Sequence, residues 1–132
     1  MAYVAVKGVI TAVGRKKLCR AHAGDIILPP ITHMAWGKGG VDETQNPILT
    51  TGNEIALYNQ LLMKEIESHV YTVDGETTCK YTATIGKNEL PGEYISEIGL
   101  FDSEGDLIAF QTFLVKGKDS GIPVSYAVEE IF

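Results

Sequence analysis

The spacing of apolar and polar residues changes once along the chain, from a helical period near the start to a period of two later on. Thr11 is suited to cap a helix that runs to about Ala23, where Gly24 supplies a C-terminal stop. Gly14 lowers the helix propensity inside this segment, which indicates that another backbone approaches it closely. Residues 26–36 contain two adjacent prolines and predict an extended connector that leads into a strand.

A second helix is predicted after a glycine-rich loop at 37–50. The four residues from Thr51 to Glu54 match a capping box, in which the hydroxyl and the carboxylate each bind a free backbone N–H. The helix that begins there is expected to end near Leu61 or Met63.

A first hairpin follows from the alternation of residues beyond this helix. Asp74 and Gly75 suit a two-residue type I′ turn, because both central residues of such a turn have positive φ. Folding the chain there pairs Val70 with Cys79 and brings most apolar residues onto one face. The pattern therefore predicts a half-buried antiparallel pair.

The second hairpin, residues 94–110, is apolar on both faces and reads YISEIGLFDSEGDLIAF. A three-residue loop that ends at Gly105 places Phe101 opposite Leu107, and the pairing continues in step from there. Two apolar faces are satisfied when a strand pair lies in the middle of a layered fold. We therefore expect this hairpin to be central.

These elements together predict an α+β fold. A last strand at 122–132 alternates in the same way as the hairpins and completes the sheet. The predicted architecture is two helices packed on a mostly antiparallel sheet of about six or seven strands. A chain of 132 residues fits a single domain, 1–132.

Composition and charge narrow the class of protein. The net charge is −6, and the basic residues are scattered, so nucleic-acid binding is not expected. No apolar window is long enough to cross a membrane, and no signal peptide is recognised at the start. The chain is therefore expected to be synthesised in a cytoplasm, where its two cysteines remain free thiols.

The candidate metal and catalytic residues do not form a recognisable set. Cys19 and His22 lie near one edge of the first helix, and Cys79 or His69 would have to complete a zinc site. Zinc ligands usually come in close sequence pairs, which are missing here, so no metal site is predicted. Neither cysteine has an adjacent oriented base, and the glycines at 37–40 lack the spacing of a phosphate-binding loop. No cofactor is predicted.

Glu97 and Asp102 are the nearest approach to a carboxylate pair. Residues five apart on a strand lie about 16 Å apart and on opposite faces. They cannot act on one substrate atom, so capping and turn roles are predicted instead. The sequence does not predict an enzyme.

Aromatic residues leave one alternative function open. Trp36, Tyr58 and Tyr71 could stack on sugar rings, which would make the chain a small carbohydrate-binding module. The competing interpretation places Trp36 in the core, where tryptophan is largely buried on average.

Several short segments resemble the N-terminal domain of bacteriophage tail-collar and tail-fibre proteins. The most specific is a hairpin with the family's E-I-G-L-F-D pattern. The matching segments follow the family's order along nearly the whole chain: Ile10 to Gly14 (ITAVG), Met34 to Gly39 (MAWGKG), Thr51 to Leu57 (TGNEIAL), Ile95 to Asp102 (ISEIGLFD) and Gly105 to Ala109 (GDLIA).

The resemblance implies a structural role in a virion. In that family the domain attaches a receptor-binding fibre to the tail or baseplate, and the fibres are generally trimers. A long shaft usually follows, whereas this sequence stops at Phe132. The expectation is therefore either a stand-alone adaptor that recruits a separate fibre chain, or a truncated or remnant prophage gene. Ser96 stands where the family often has an arginine, so a contact made by that arginine is not expected here.

The resemblance also suggests how the doubly apolar surface is buried. If chains associate, part of that surface lies against a neighbouring subunit. The residues predicted to contribute to this packing are Phe101, Leu107, Tyr126, Val128 and Phe132. Coverage of both faces by helices of the same chain is the alternative, since periodicity does not separate the two.

Overall fold

The protein is mostly β-structure. A computed structural model describes residues 2–72 and 75–132, and within these ranges it contains one helix and eight strands. The helix is α1 (Ala12–His22), and the strands are β1 (Ala2–Ile10), β2 (Ile31–Gly37), β3 (Gln60–Glu65), β4 (Ser68–Tyr71), β5 (Thr78–Ile85), β6 (Tyr94–Asp102), β7 (Leu107–Gly117) and β8 (Val124–Ile131). In the same ranges, no helix has both the length and the apolar character needed to cross a membrane.

All eight strands form one curled sheet in the order β3-β2-β6-β7-β1-β8-β5-β4. The first strand, β1, lies inside the sheet, parallel to β8 and antiparallel to β7. The end strands β3 and β4 are joined by only two residues, so the sheet must curl until its two edges approach, which gives a half-barrel. The predicted α+β fold with two helices on a sheet is therefore wrong.

Side chains of β3 and of the two-residue connection to β4 hold this part of the chain against β5. Lys64 Nζ donates to the carbonyl oxygen of Thr84 at 2.7 Å and to Glu89 at 2.8 Å. The Glu67 carboxylate accepts both the backbone N–H and the hydroxyl of Thr84, at 3.1 and 3.0 Å. The hydrogen bond from Lys64, followed by the one from the Gly86 N–H, lowers the pKa of Glu89 below its ordinary value.

Two apolar clusters cover the two faces of the β6–β7 hairpin. The inner core draws on strands from both halves of the curled sheet: Met34, Trp36, Ala83, Ile85, Ile95, Ile98, Leu100, Ala109, Tyr126 and Val128. The outer core lies on the opposite face and includes a residue from the segment before β3: Ala35, Leu57, Phe101, Leu107 and Phe110. Both faces of the hairpin are thus buried by the chain itself, although a loop rather than a second helix supplies the outer cover.

The first helix forms as predicted. Thr11 is the N-cap, and its side-chain oxygen accepts the N–H of Gly14 at 3.1 Å. Its hydroxyl also donates to the carbonyl of Leu107 at 2.7 Å, which fixes the helix to β7. Gly24 has a φ of 83° just beyond the helix, as a C-terminal stop requires.

Gly14 permits the close approach that its position indicated. A Cβ at this position would lie 2.9 Å from the carbonyl oxygen of Ile108 and 3.0 Å from its Cγ2. We expect Gly14→Ala to lower the free energy of unfolding by about 1–3 kcal/mol, because overpacking against a backbone outweighs the gain in helix propensity. Urea unfolding measures this change.

The matched control for this substitution is Gly117→Ala. A Cβ at Gly117 would make an ordinary contact with the ring of Tyr94 at 3.7 Å. We expect the free energy of unfolding of this variant to lie within about 0.5 kcal/mol of the wild-type value. A Gly14→Ala variant more stable than the wild type would show that the helix does not pack closely on β7.

The second predicted helix is wrong, although its capping interactions form. The Glu54 carboxylate accepts the backbone N–H of Thr51 and of Gly52, each at 2.9 Å. No helix follows, because the N–H groups of Tyr58 and Asn59 donate to a distant carboxylate instead of to preceding carbonyls. The segment 51–59 is irregular and continues directly into β3.

The first predicted hairpin forms with a register shifted by one residue. Val70 lies opposite Lys80 rather than Cys79, and Tyr71 lies opposite Cys79. The shift lengthens the connection between β4 and β5 relative to the predicted two-residue turn. Of that turn, Asp74 lies outside the described residues.

The second predicted hairpin is confirmed at its turn and shifts along its strands. Gly105 has a φ of 85°, and Phe101 lies opposite Leu107 as predicted. A bulge between Leu100 and Phe101 then moves the pairing by one residue, so that Leu100 faces Ala109. Because a bulge changes which side chains share a face, Phe110 joins the outer core instead of the inner one.

Candidate functional site

A cavity of about 170 Å³ lies where α1 and the proline-containing connector meet the ends of β5 and β8. Most of its walls are apolar, and three ionisable side chains and a tyrosine interrupt them. The lining residues are Gly14, Lys17, Leu18, Leu28, Pro29, Pro30, Ile31, Tyr81, Asp102, Ile108, Glu130 and Phe132. The combination of an apolar wall with few polar groups is typical of a binding site.

Glu130 places a buried carboxyl group in this cavity. The residue is only 6% exposed, and its Oε1 accepts one long hydrogen bond, 3.5 Å, from the Tyr81 hydroxyl. Burial raises the pKa of Glu130, and the bond from Tyr81 only partly opposes this effect. Burial and the nearby Glu130 charge raise the pKa of Tyr81 as well. The environment therefore favours the neutral forms of both Glu130 and Tyr81.

This environment makes stability depend on the charge of Glu130. The carboxyl keeps its proton in the folded chain above its ordinary pKa of 4.5, so the folded state binds more protons than the unfolded state there. Stability then falls as the pH rises through the raised pKa. We expect Glu130→Gln to remove this fall, so that its stability relative to the wild type increases as the pH rises above the ordinary pKa of 4.5.

Urea unfolding at several pH values measures this dependence. Glu129→Gln is the matched control, since Glu129 precedes Glu130 on the same strand and is less buried. Glu129→Gln removes the same charge from a less buried position on the strand, so it controls for the loss of a charge alone. A Glu130→Gln difference that is constant with pH would show that Glu130 titrates as an exposed carboxyl group does.

Lys17 forms the charged wall of the cavity and is itself neutralised by three carboxylates. Its Nζ lies 2.6 Å from Asp102, 2.9 Å from Glu104 and 2.7 Å from Asp106. Burial lowers the pKa of Lys17, but the hydrogen bonds to Asp102, Asp106 and Glu104 outweigh it and raise the pKa. These three carboxylates are close enough together to hold a cation, and the lysine ammonium group occupies that role.

Two exposed apolar residues of the cavity lining, Leu28 and Phe132, together with Ile26 and Ile27, which precede Leu28 in the chain, form the set that we call the rim. Leu28 and Phe132 line the cavity and remain 44% and 61% exposed. Ile27, the neighbour of Leu28, is 95% exposed, and Ile26 is also exposed. Clustered exposed apolar side chains of this kind mark interaction surfaces more often than isolated ones do.

A second buried carboxylate, Glu97, organises the loops on the other side of β6. It accepts the backbone N–H of Gly39 at 2.8 Å and those of Tyr58 and Asn59 at 2.7 Å each. The capping and turn roles predicted for the pair Glu97 and Asp102 are confirmed in this form, since Asp102 likewise accepts two N–H groups of its turn, at 3.0 Å each. Both carboxylates are structural.

The glycine-rich stretch could have indicated the loop cradle around Glu97. The Gly40 N–H donates to the Ser96 hydroxyl at 2.9 Å, and a Cβ on Gly40 would collide with the Ser96 carbonyl. Ser96 is fully buried by this contact. The run of glycines at 37–40 indicates that the backbone here approaches another segment closely. The spacing of the sequence does not show that this segment is β6.

Four of the five residues predicted for a subunit interface lie inside the chain. Phe101 and Leu107 belong to the outer core, whereas Tyr126 and Val128 belong to the inner core. Their burial needs no second chain. Phe132 is the member of the set that remains exposed, and it lies at the rim of the cavity.

The three aromatic residues of the carbohydrate-binding alternative do not lie together. Trp36 is fully buried and makes an edge-to-face contact with Tyr126, with ring centroids 6.0 Å apart. Tyr58 is half exposed and packs edge-on against Phe110, whereas Tyr71 is exposed on β4 at the end of the sheet. Trp36 cannot offer its indole face to a sugar.

The residues considered for metal binding or nucleophilic chemistry are also separated. Cys19 is exposed on α1, and Cys79 is buried on β5. His22 ends α1, and His69 lies on β4 with its ring 6.0 Å from that of Tyr81. Within the described residues, these four side chains do not form a metal-binding group.

Comparison with models of known protein families and with curated proteins finds no match for this chain.

Proposed function

We propose that this chain is a structural, non-enzymatic component of a phage tail or a related tail-like particle. In this role it attaches a receptor-binding fibre to the tail or baseplate and resides in the virion. The fibre is a separate chain or a trimer that the adaptor joins, as the resemblance implies.

The observation that carries this proposal is that the segments with family resemblance contact one another directly. The capping residue of the first segment, Thr11, donates to the carbonyl of Leu107 in the last segment. Gly39 of the second segment donates its N–H to Glu97 of the E-I-G-L-F-D hairpin. The motifs are distant in sequence, so their convergence supports a single inherited scaffold rather than chance matches.

The remaining segment, 51–57, joins the same assembly. The N–H of Ala12 donates to the carbonyl of Gly52 at 2.6 Å. Leu57 packs on the bare face of Gly99, where a Cβ would lie 2.9 Å from its Cδ1. All of the motif segments therefore contribute to one rigid unit, which suits a protein whose contribution is shape.

A partner surface is needed for an adaptor, and the rim meets this need. Leu28 and Phe132 expose apolar side chains at the cavity, and Ile26 and Ile27, which precede Leu28 in the chain, are exposed as well. Burying such side chains against a second protein releases about 25 cal/mol for each Å² removed from water. The rim is the surface that we assign to the tail or fibre partner.

The alternative, a small carbohydrate-binding module, has less support. It depends on Tyr58 and Tyr71 alone once Trp36 is buried. Tyr58 lies in the irregular segment before β3 and packs on Phe110 of β7, whereas Tyr71 lies on β4. Binding of the isolated chain to a glycan array would favour this alternative.

Purified tail particles from a producing bacterial strain test the proposed function. We expect quantitative mass spectrometry to find the chain in these particles at a fixed ratio to the baseplate proteins. A lysate of the same strain, depleted of particles by centrifugation, is the control for carry-over.

Recovery of the chain only in the depleted lysate would contradict the proposal. A ratio that varies with each washing step would also contradict it, because a built-in component is not removed by washing.

A further inference from the structure

We propose that the cavity beneath the rim is a socket for one basic side chain, a lysine or arginine, of a partner polypeptide. The inference uses the proposed adaptor role only for the identity of the partner. The socket itself follows from the chemistry of its walls and floor.

The apolar walls suit the alkyl part of a long basic side chain. Leu18 of α1, Ile108 of β7 and the adjacent prolines of the connector line the cavity. Lysine and arginine bury their methylene groups along apolar surface while their charged ends reach polar groups.

The buried carboxyl of Glu130 supplies the polar group at the end of such a stem. It is more than nine-tenths buried, and the 3.5 Å bond from Tyr81 leaves most of its acceptor capacity unused. A guanidinium or ammonium group would donate to these oxygen atoms. Where the raised pKa keeps the carboxyl protonated, its proton then passes to solvent, and the carboxylate pairs with the bound cation.

The charges around Glu130 favour a cation over an anion. The charged or titratable groups in the lining are Lys17 on α1, Asp102 at the end of β6 and Tyr81 on β5, and Cys79 lies opposite Glu130 in the ladder. Lys17 is already paired with three carboxylates, so it leaves no positive charge for an anionic ligand. The chain as a whole carries a net charge of −6.

The size of the cavity limits its occupant to a single side chain. Its volume of about 170 Å³ is close to that of cavities of about 150 Å³ that hold one benzene molecule. The rim outside it exposes more apolar surface than a small amine would cover, with Ile27 almost fully exposed. A polypeptide that presents a basic residue between apolar ones covers both features.

Titration with n-butylguanidinium chloride tests the socket in the full chain. We expect saturable changes in the amide NMR signals of the cavity residues, and we expect 1-pentanol and butyrate to bind at least about tenfold more weakly. Binding in two buffers that differ in ionisation enthalpy should also reveal release of a proton. Neither readout needs a phage particle, so failure here is distinct from failure of the proposed function.

Variants distinguish the contribution of the Glu130 carboxyl group to binding from the contribution of the rim. We expect Glu130→Gln to weaken butylguanidinium binding at least about tenfold, whereas Glu129→Gln leaves it unchanged. The tripeptide acetyl-Leu-Arg-Leu-amide should bind more tightly than butylguanidinium. Ile27→Asp should remove this advantage without changing butylguanidinium binding.

Several outcomes would overturn the inference. Equal binding of 1-pentanol and butylguanidinium would show a merely apolar cavity, and unchanged binding to Glu130→Gln would remove the carboxyl group from the site. If binding to the wild type released no proton, this too would remove the carboxyl group from the site. That result does not depend on whether Glu130→Gln folds. A tripeptide that binds no better than butylguanidinium would contradict a polypeptide partner and indicate a free amine.

Discussion

Glu97→Ala is expected to lower the free energy of unfolding by about 4 kcal/mol, one of the two largest effects in this protein. Three backbone N–H groups donate to the Glu97 carboxylate, and the residue is fully buried. Each hydrogen bond to a charged group contributes about 1.5–3 kcal/mol, and its loss leaves a buried donor unsatisfied. Urea unfolding followed by the fluorescence of Trp36, the single tryptophan, measures the change.

Two further variants define the origin of this loss. Glu97→Gln keeps one carbonyl oxygen but turns an NH₂ group toward the remaining donor, so it should lose about half as much. Glu43→Ala, on an exposed loop residue, should stay within about 0.5 kcal/mol of the wild type. A Glu97→Ala variant as stable as Glu43→Ala would show that Glu97 does not organise the loops.

Trp36→Ala is expected to lower the free energy of unfolding by about 3–5 kcal/mol. Trp36 is fully buried in the inner core against Tyr126, whose pKa burial raises to about 12. Removing the indole leaves a cavity that neighbouring side chains fill only partly. Circular dichroism during urea unfolding follows the transition without the tryptophan signal.

The controls for Trp36 also separate core packing from surface stacking. Trp36→Phe retains an aromatic ring and should lose less than Trp36→Ala. Tyr58→Ala, at a half-exposed position, should also lose less. A Trp36→Ala variant with wild-type stability would place the indole at the surface and revive the carbohydrate-binding alternative.

The turns and caps of this fold are predictable from the sequence because they depend on local chemistry. Thr11 caps α1, Gly24 ends it and Gly105 takes a positive φ in the second hairpin, all as predicted. Each of these roles is set by one residue and its immediate neighbours. The same local signals do not contain the position of the bulge between Leu100 and Phe101.

The second helix illustrates how a distant residue overrides a local signal. The Glu54 carboxylate accepts the N–H of Thr51 and the Thr51 hydroxyl accepts that of Asn53, so the local interpretation of these two residues is correct. Glu97, about forty positions later, then takes the N–H groups that a helix would use. The sequence shows that Glu97 is present, but it does not show which N–H groups the carboxylate binds.

The first strand could have been found from its composition. Residues 3–6 read Tyr-Val-Ala-Val, and aromatic and β-branched residues are enriched in strands, whereas the predicted elements begin at Thr11. Because β1 is missing from the prediction, the predicted sheet has fewer strands than the eight observed, and its curl cannot be inferred. Its parallel pairing with β8 joins the two ends of the chain, which no local pattern encodes.

The candidate site depends on this same long-range folding. Its lining comes from α1, the connector and five strands, so the cavity exists only in the folded chain. Glu130 occurs in an acidic pair near the C-terminus, where the sequence alone indicates a solvated charge. Phe132, predicted for a subunit interface, is exposed and lines the cavity, and its role in an interface stays a prediction.

The most direct test of the adaptor proposal is the incorporation of an Ile27→Asp variant into tail particles. The side chain is 95% exposed, so the substitution should change the free energy of unfolding by no more than about 0.5 kcal/mol. Mass spectrometry of purified particles should then find this variant greatly depleted, with Glu43→Ala present at the wild-type level. Equal incorporation of both variants would contradict the assignment of the rim as the surface that joins this protein to its particle.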